Sequence, residues 1–576
     1  MQEQINTKIW ELHPPAVGEI NLLASRLRVS VLLATALMNR GIEDEASALR
    51  FLNPRLSDLH PPFQMKDMDK AVARIMQARD RREKIAVYGD YDVDGITAAA
   101  LLTTFLKRMD VDAISYLPHR LREGYGLNED AVRRLAQADI KLLITVDCGV
   151  SSIREVQLAQ SLDMDVVVTD HHVPPSLLPK AEAILNPKQP GCGYPFKDLA
   201  GVGIAFFLAA ALRSAMKEAG HWDDQSMPNL KDELDLVAMG TIADMVPLTD
   251  QNRILTAAGL EVIQQGRRVG LEAIRRASGL EGKSISSWNV AFQLAPRLNA
   301  GGRLGDSAMA LRLLTTDNRR EANEIAQHLD RLNSERRQIE ERMIDQARAL
   351  LMGTGFGENS KSIVLASEQW HRGVVGIVAS RLVELFHRPA IVISLEDGLG
   401  HGSGRSISGF DLYKALEECG QHLVSFGGHK YAAGITIDSQ NLEAFADRFE
   451  TLARQELADF PLKSRLKIDA ESSLDEIVLQ DVLDLKKLEP FGSGNPEPVW
   501  LGRDLVLQGT EQVGKKHLRF TFALPSGSSS RAIGFGMADR EPMLGPKIDA
   551  VFSLYLDEWK GNTKVGIRLK DIMNTP

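Results

Sequence analysis

From residue 84 onward the chain alternates short apolar runs with segments of helical spacing. The run KIAVYG at 84–89 is almost wholly apolar and passes into the polar loop DYDVDG. That is the pattern of a parallel strand buried on both faces and running off its end. ITAAALLTTFLKRM, 96–109, predicts a helix packing back on it. The alternation repeats, with strands expected at 112–117, 140–146 and 165–169 and helices at 129–138 and near 152–162. Strands and helices in strict alternation predict a doubly wound α/β domain with a parallel sheet.

Outside this stretch the pattern changes several times. Residues 1–80 read as helical and end in the basic cluster Arg79 to Arg82 with Lys84, a solvated helix end. Residues 234–248 read as an apolar helix entering a turn. A long charged helix follows at 317–352, with Ile325, Leu329, Leu332, Ile339 and Met343 on its apolar side. At 1.5 Å per residue it spans roughly 50 Å, and a mainly polar helix of that length usually bridges domains. Strands at 362–366 and 389–394, with a helix beginning in WHRGVVGIVASRL, predict a second α/β domain. From 465 to the end, short alternating strands such as LRFTFAL and VGIRL, joined by Gly, Ser and Lys turns, suit a small barrel. The expected division is therefore 1–80, 81–316, a linker helix 317–352, 353–460 and 465–576.

Composition narrows the class without naming a chemistry. A chain of 576 residues is too long for one core. Its 44% apolar and 25% charged residues are ordinary for soluble globular protein. Cys148, Cys192 and Cys419 lie far apart, which argues against a disulfide framework or structural zinc and fits a reducing cytosol. The polar start and the shortness of the apolar run at 201–212 predict a protein with no membrane anchor. The net charge of -9 excludes a uniformly basic nucleic-acid binder but not a basic channel.

The candidate chemistry lies at the strand ends. Open parallel sheets bind ligands outside the carboxyl ends of their strands, and Asp90, Asp92, Asp94, Asp147, Asp170, His171 and His172 all fall there. Asp244, in GTIADMVPL, is a further carboxylate in apolar surroundings. Singly, each is as well read as a helix cap or a turn residue. Together, so many carboxylates in one crevice repel one another unless a cation sits among them. Hard divalent cations take oxygen ligands, and a mixed Asp and His set suits Mn²⁺, with Mg²⁺ as a substitute. Two such ions can activate water, neutralise a phosphate and stabilise a leaving alkoxide.

Other segments fit contacts to a phosphodiester strand. In HRLREGYG, Arg120 is a candidate for a terminal phosphate and Tyr125 for stacking on a base. APRLNAGGRLGDS offers Arg297 and Arg303, with either one open as the contact. GHGSGRS and SFGGHKYAAG read as glycine-rich turns at helix N-termini presenting N–H groups to anions, with Ser403 and Arg405 as phosphate contacts and His429 facing the cleft. Lys515, Lys516, His517 and Arg519 predict a basic groove on the barrel, whose aromatics Phe520, Phe522, Phe535 and Trp559 read mostly as core.

GDYDVDG, VDCG, TDHH and IADMVPL, in that order, resemble the four motifs of the DHH phosphoesterase superfamily, and the fourth is most similar to its RecJ-type branch of single-strand-specific 5′→3′ exonucleases. The resemblance implies a DHH domain, a DHHA1 domain and a C-terminal OB-fold entered through PFGSGNPEP. It implies Asp147 as a ligand bridging two metals, one also held by Asp94, His171 and Asp244, the other by Asp92 with Asp90 close by, and His172 facing the scissile phosphate. It further implies single-stranded DNA as substrate, roles in DNA repair and recombination, and partners such as a single-strand-binding protein and a RecQ-type helicase, the enzyme itself being a cytoplasmic monomer. Two other readings compete: a DHH phosphodiesterase of oligoribonucleotides or cyclic dinucleotides, against which the barrel speaks, and a replication scaffold without a working site, against which the full set of carboxylates and histidines speaks.

Overall fold

The computed structural model describes residues 8–575 except 15, 121, 125, 354, 355, 358, 560 and 561. Two compact units are formed, one by residues 59–246 and 251–463, the other by 1–58, 247–250 and 464–576.

The first unit holds both α/β sheets. In one, five parallel strands lie in the order Ala113–Tyr116, Lys84–Gly89, Ile140–Val146, Asp165–Thr169, Ala183–Leu185. The apolar run at 84–89 is unbroken because both faces are covered. Ala86 and Tyr88 join Leu143, Val166 and Val168 in a core with the helices Glu129–Gln137 and Ile153–Ser161, while Ile85 and Val87 are buried on the opposite face. The chain leaves Lys84–Gly89 first toward one edge and then crosses to Ile140–Val146 on the other side. These two strands thus flank the switch point, the place where such sheets open a crevice.

The second sheet is mixed, in the order Ser425–His429, Ala432–Asp438, Leu399–Arg405, Ala390–Glu396, Ile363–Ser367, with only the last pair parallel. Here the expectation of glycine-rich turns is corrected. GHGSGR is a strand, and SFGGH with AAGITID forms an antiparallel pair beside it. The glycines serve packing, since a Cβ at Gly400 or Gly402 would stand 2.7 Å from Ile393 or Ile435 side chains.

The linker helix is Arg319–Gly353. Its buried stripe differs from the expected one. Leu329 and Met343 are buried, but Ile325, Leu332 and Ile339 are only partly covered, and Asn333 and Arg336 take buried places instead. Arg336 donates to Asn333 at 2.8 Å and to Glu340 at 2.7 Å, which is how a guanidinium is tolerated there.

The second unit is a barrel with helices on it. Trp500–Val513 pairs with His517–Ala523, then Ser529–Gly534, Asn562–Asn574 and Lys547–Trp559, which closes back on Trp500–Val513. The segment expected as one helical stretch, 1–80, is divided. Its helices Val17–Leu27, Val31–Met38 and Glu45–Leu52 share a core with barrel residues Trp500, Phe520, Phe522 and Phe552, whereas Met68–Asp80 belongs to the first unit. The strand Ile9–Leu12, which helical spacing did not suggest, pairs in parallel with Arg465–Ile468. Among the described residues no single helix is long and apolar enough to cross a membrane.

Candidate active site

The loop after the central strand turns sharply because Gly95 lies on Asp90: a Cβ there would stand 2.5 Å from the Asp90 nitrogen. Asp92 caps the helix Val93–Arg108, its carboxylate accepting from Gly95 N–H at 3.1 Å. Asp94 is buried in the first turn and accepts from the amides of Gly201 (2.6 Å) and Val202 (2.9 Å), the start of the helix Gly201–Glu218. The helix dipole and these N–H groups favour a carboxylate there. Asp147 follows Val146 with a left-handed φ of 62° and is buried. Asp244 ends the helix Leu234–Ala243.

These elements bring Asp94, Asp147, His171 and Asp244 together. His171 Nε2 lies 3.1 Å from Asp147 Oδ1, 3.6 Å from Asp244 Oδ2 and 4.0 Å from Asp94 Oδ2. Two glycines permit this approach. A Cβ on Gly201 would stand 2.6 Å from Asp147 Cβ, and one on Gly240 would stand 2.7 Å from Asp94 Oδ1. Burial, then the Asp92 charge, pushes the Asp94 carboxyl up to about 7. Burial and the neighbouring carboxylates push Asp90, Asp147 and Asp244 well above the usual range. Burial, then the charge of His172, holds His171 down at about 3, a neutral imidazole.

Asp147 Oδ1, Asp90 Oδ1 and both ring nitrogens of His171 are buried without a hydrogen-bond partner. Such orphaned polar atoms are rare in folded proteins and costly. A divalent cation is the one ligand class that satisfies several of them together while removing the mutual repulsion of the carboxylates.

Asp170 and His172 form a separate pair. Asp170 accepts from Val150 N–H at 2.9 Å, His172 N–H at 3.0 Å and His172 Nδ1 at 2.7 Å. Burial alone would lower the His172 pKa, but the hydrogen bond and charge of Asp170 raise it to about 9. Asp170 thus orients the second histidine, a role its place in the triplet did not disclose. His429, on the strand Ser425–His429, is held below its ordinary value by burial and then by the charges of His172 and Arg405.

Three guanidiniums converge beside the carboxylates. Arg120 stacks over the Tyr91 ring at 4.8 Å from its centroid and acts electrostatically on Asp90, Arg303 and Arg405. Arg303 is lowered to about 9 by burial and then by Arg120, Arg336 and Arg405. Arg405, lowered by burial and then by Arg120, donates to Ser403 Oγ at 3.0 Å. Like charges that act on one another while two of them are buried mark a place for an anion. Arg297 is not among them: it donates to Asp330 on the linker helix at 2.8 Å and to Gln293 O at 2.6 Å. Tyr125 lies outside the described residues.

On the barrel, Lys515 and Lys516 are exposed, whereas Arg519 is paired with Glu511 at 2.6 Å. Phe520 and Phe522 are fully buried, but Phe535 is 55% exposed, so it is not core; nothing is described for the Trp559 side chain. Phe535 meets His517 edge-on at 5.0 Å, and Arg568 lies over both Phe535 (6.0 Å) and Tyr555 (5.1 Å). Tyr555 and Arg568 were missed because alternation in a strand does not say which aromatic faces water.

Three family models match the chain. Residues 84–241 match the DHH family N-terminal domain, 359–455 the DHHA1 domain and 468–571 the RecJ OB domain. Single-stranded-DNA-specific exonuclease RecJ of Bacillus subtilis is 38% identical over 98% of this chain and 70% of its own length. That of Salmonella typhimurium is 36% identical over 94% of this chain and 95% of its own. The crystal structure of RecJ in complex with Mn²⁺ from Thermus thermophilus superposes with a TM-score of 0.84 at 30% identity, covering 99% of this chain and 80% of that one. On sequence, domain order and fold, this chain belongs to the RecJ family.

Proposed function

We propose that the chain is a divalent-metal-dependent exonuclease that hydrolyses single-stranded DNA from the 5′ end, releasing nucleotides processively during DNA repair and recombination. The observation that carries this reading is the orphaned His171 Nε2 facing the carboxylates of Asp147, Asp244 and Asp94 at 3.1, 3.6 and 4.0 Å. Relatives that are single-stranded-DNA-specific exonucleases support the substrate class, and the Thermus thermophilus RecJ structures in complex with Mn²⁺ or Mg²⁺ support the metals.

Asp94, Asp147, His171 and Asp244 would hold one ion, and Asp92, with Asp90 near and Asp147 shared, a second. Bound ions supply an activated water, charge neutralisation on the phosphate and stabilisation of the leaving oxygen. The mixed oxygen and nitrogen donor set favours Mn²⁺ over Mg²⁺.

The chain's own groups do the rest. Asp170 keeps His172 protonated at neutral pH, so the imidazolium donates to a phosphoryl oxygen as negative charge grows there. His429 approaches from the second sheet to orient the same group. Arg120, Arg303 and Arg405 with Ser403 hold the phosphate at the 5′ end, and Tyr125 stacks on the first base. Arg297 is assigned to the linker helix rather than to the strand. On the barrel, Lys515 and Lys516 attract the backbone while Phe535 and Tyr555, bridged by Arg568, offer base-stacking faces; Arg519, paired with Glu511, contributes less. Phosphate and stacking contacts carry no sequence information, so recognition is of a narrow single strand. A cytoplasmic monomer working with a single-strand-binding protein and a RecQ-type helicase fits this activity.

The test is digestion of end-labelled single strands and duplexes in Mn²⁺ or Mg²⁺, with wild type and Asp147→Ala. Release of the 5′ label from single strands alone, by wild type alone, is expected. Hydrolysis only of short RNA or cyclic dinucleotides would overturn the substrate.

A further inference from the structure

We infer that Glu123, with Tyr116 and Arg134, and the hydroxyl of Tyr88 form a clamp that sets the position of Arg120 and thereby the enzyme's discrimination for a 5′-phosphorylated end. Arg120 sits in the connection between the strand Ala113–Tyr116 and the helix Glu129–Gln137, whose described residues lie in no helix or strand. A guanidinium on an untethered loop costs conformational entropy each time it meets a phosphate. This connection is tied at both ends.

At its start, the Glu123 carboxylate accepts from the backbone N–H of His119, directly before Arg120, at 2.7 Å, from the Tyr116 hydroxyl at 2.7 Å and from Arg134. Arg134 also donates to the Tyr116 hydroxyl. The Glu123 and Arg122 amides close a turn on His119 O at 2.8 and 3.0 Å. At its end, the buried Tyr88 hydroxyl donates to Gly126 O at 2.8 Å and accepts from Asn128 at 3.1 Å. Tyr88 also stacks on Tyr116, with ring centroids 5.2 Å apart. Tyr88 lies two residues before Asp90 on the central strand, so the segment that presents Arg120 is bolted to the strand that presents the carboxylates. Among the described residues no contact joins these four groups to Asp94, Asp147 and Asp244 or to Arg120, Arg303 and Arg405. They are positioning residues, and a half-buried carboxylate satisfied by three donors, one of them a guanidinium, is a firm anchor.

The inference rests on the reading of Arg120 as a phosphate contact, and the test separates the two. In the full chain, Glu123→Gln and Tyr88→Phe are compared with wild type and Arg120→Ala by three measurements: exchange of the His119 amide, Mn²⁺ affinity, and kcat/KM on 5′-phosphorylated against 5′-hydroxyl single strands. A lost charge-assisted hydrogen bond predicts roughly tenfold faster His119 exchange in Glu123→Gln and a roughly tenfold fall in the phosphate-to-hydroxyl ratio in both variants. Mn²⁺ affinity and kcat on the 5′-hydroxyl strand stay at wild-type values, which a general loss of structure would not allow. A loosened His119 amide with an unchanged ratio overturns the clamp, as does an equal loss on both strands. Should Arg120→Ala itself leave the ratio at its wild-type value, the phosphate reading of Arg120 falls and the clamp's role in discrimination falls with it, whereas a lowered ratio in Arg120→Ala with wild-type ratios in Glu123→Gln and Tyr88→Phe overturns the clamp alone.

Discussion

Gly201 is the sharpest steric test of the carboxylate cluster. An added Cβ would stand 2.6 Å from Asp147 Cβ, 2.8 Å from its Oδ1 and 2.9 Å from its Cγ. Ordinary contacts between such atoms lie near ~3.5–4.0 Å, so something must move by about 1 Å. Either the Asp147 carboxylate yields, or the start of the helix Gly201–Glu218 backs away and stretches the hydrogen bonds that the Gly201 and Val202 amides give Asp94. Both routes spoil a proposed ligand. The backbone at Gly201 is compatible with any residue, so Gly201→Ala gains about 1 kcal/mol of helix propensity, against an overpacking cost of about 1–3 kcal/mol. Global stability therefore changes little. A displacement of 1 Å at a site of this kind lowers activity on the order of 100-fold, and metal affinity about 10–100-fold when ligand support is disturbed. Calorimetric titration of Mn²⁺ into the metal-free variant, thermal melting with and without Mn²⁺, and hydrolysis of a labelled single strand measure the three effects. A Gly201→Ala protein with wild-type Mn²⁺ affinity and wild-type turnover would refute the assignment of Asp147 and Asp94 as ligands.

Other consequences separate structural from functional roles. Arg297→Ala, which breaks the pair with Asp330, is expected to lower the melting temperature of the metal-bound protein with KM unchanged, whereas Arg303→Ala raises KM for 5′-phosphorylated strands about tenfold or more, as for loss of a charged hydrogen bond; steady-state kinetics beside calorimetry distinguishes them. Phe535→Ala is expected to weaken single-strand binding by about 1–3 kcal/mol in fluorescence anisotropy without unfolding, and Phe520→Ala, fully buried, to destabilise the barrel by about 3–5 kcal/mol in denaturant titration. Asp484 is held below the usual carboxylate range: burial alone would raise it, but Lys487 and the Ser30 amide, at 2.8 Å each, more than offset that. A lowered folded-state pKa means stability present above the unfolded value and lost as pH falls through the folded one. The unit containing the barrel should therefore lose stability as pH falls below the ordinary carboxylate value, and Asp484→Asn should flatten that slope in acid melting curves.

The α/β domain was legible because parallel strands buried on both faces leave an unmistakable run of apolar residues, and polar groups at their ends have few places to go. For the same reason Asp90, Asp92, Asp94, Asp147, Asp170, His171 and His172 could be grouped as candidates at one crevice edge from local pattern alone. Glycine was harder to read. GHGSGRS looks like a turn by composition, yet its glycines make room for Ile393 and Ile435 across a sheet, a constraint imposed by residues on other strands. The two arginines of APRLNAGGR have similar local sequence, and only the position of Asp330 on a distant helix separates the paired one from the one left facing its like charges.

By itself, then, the amino-acid sequence determined the elements of the first α/β domain, the crevice end of its parallel sheet and the candidate chemistry placed there, because strand and helix periodicities and strand-end placement are local properties. What packs against what was decided only in three dimensions. That the first helices share the barrel's core, that Asp170 serves His172 rather than a metal, that Arg120, Arg303 and Arg405 meet, and that Phe535 faces water all depend on contacts between residues far apart in the chain. Burial and pairing energies act on those contacts, and no local pattern encodes them.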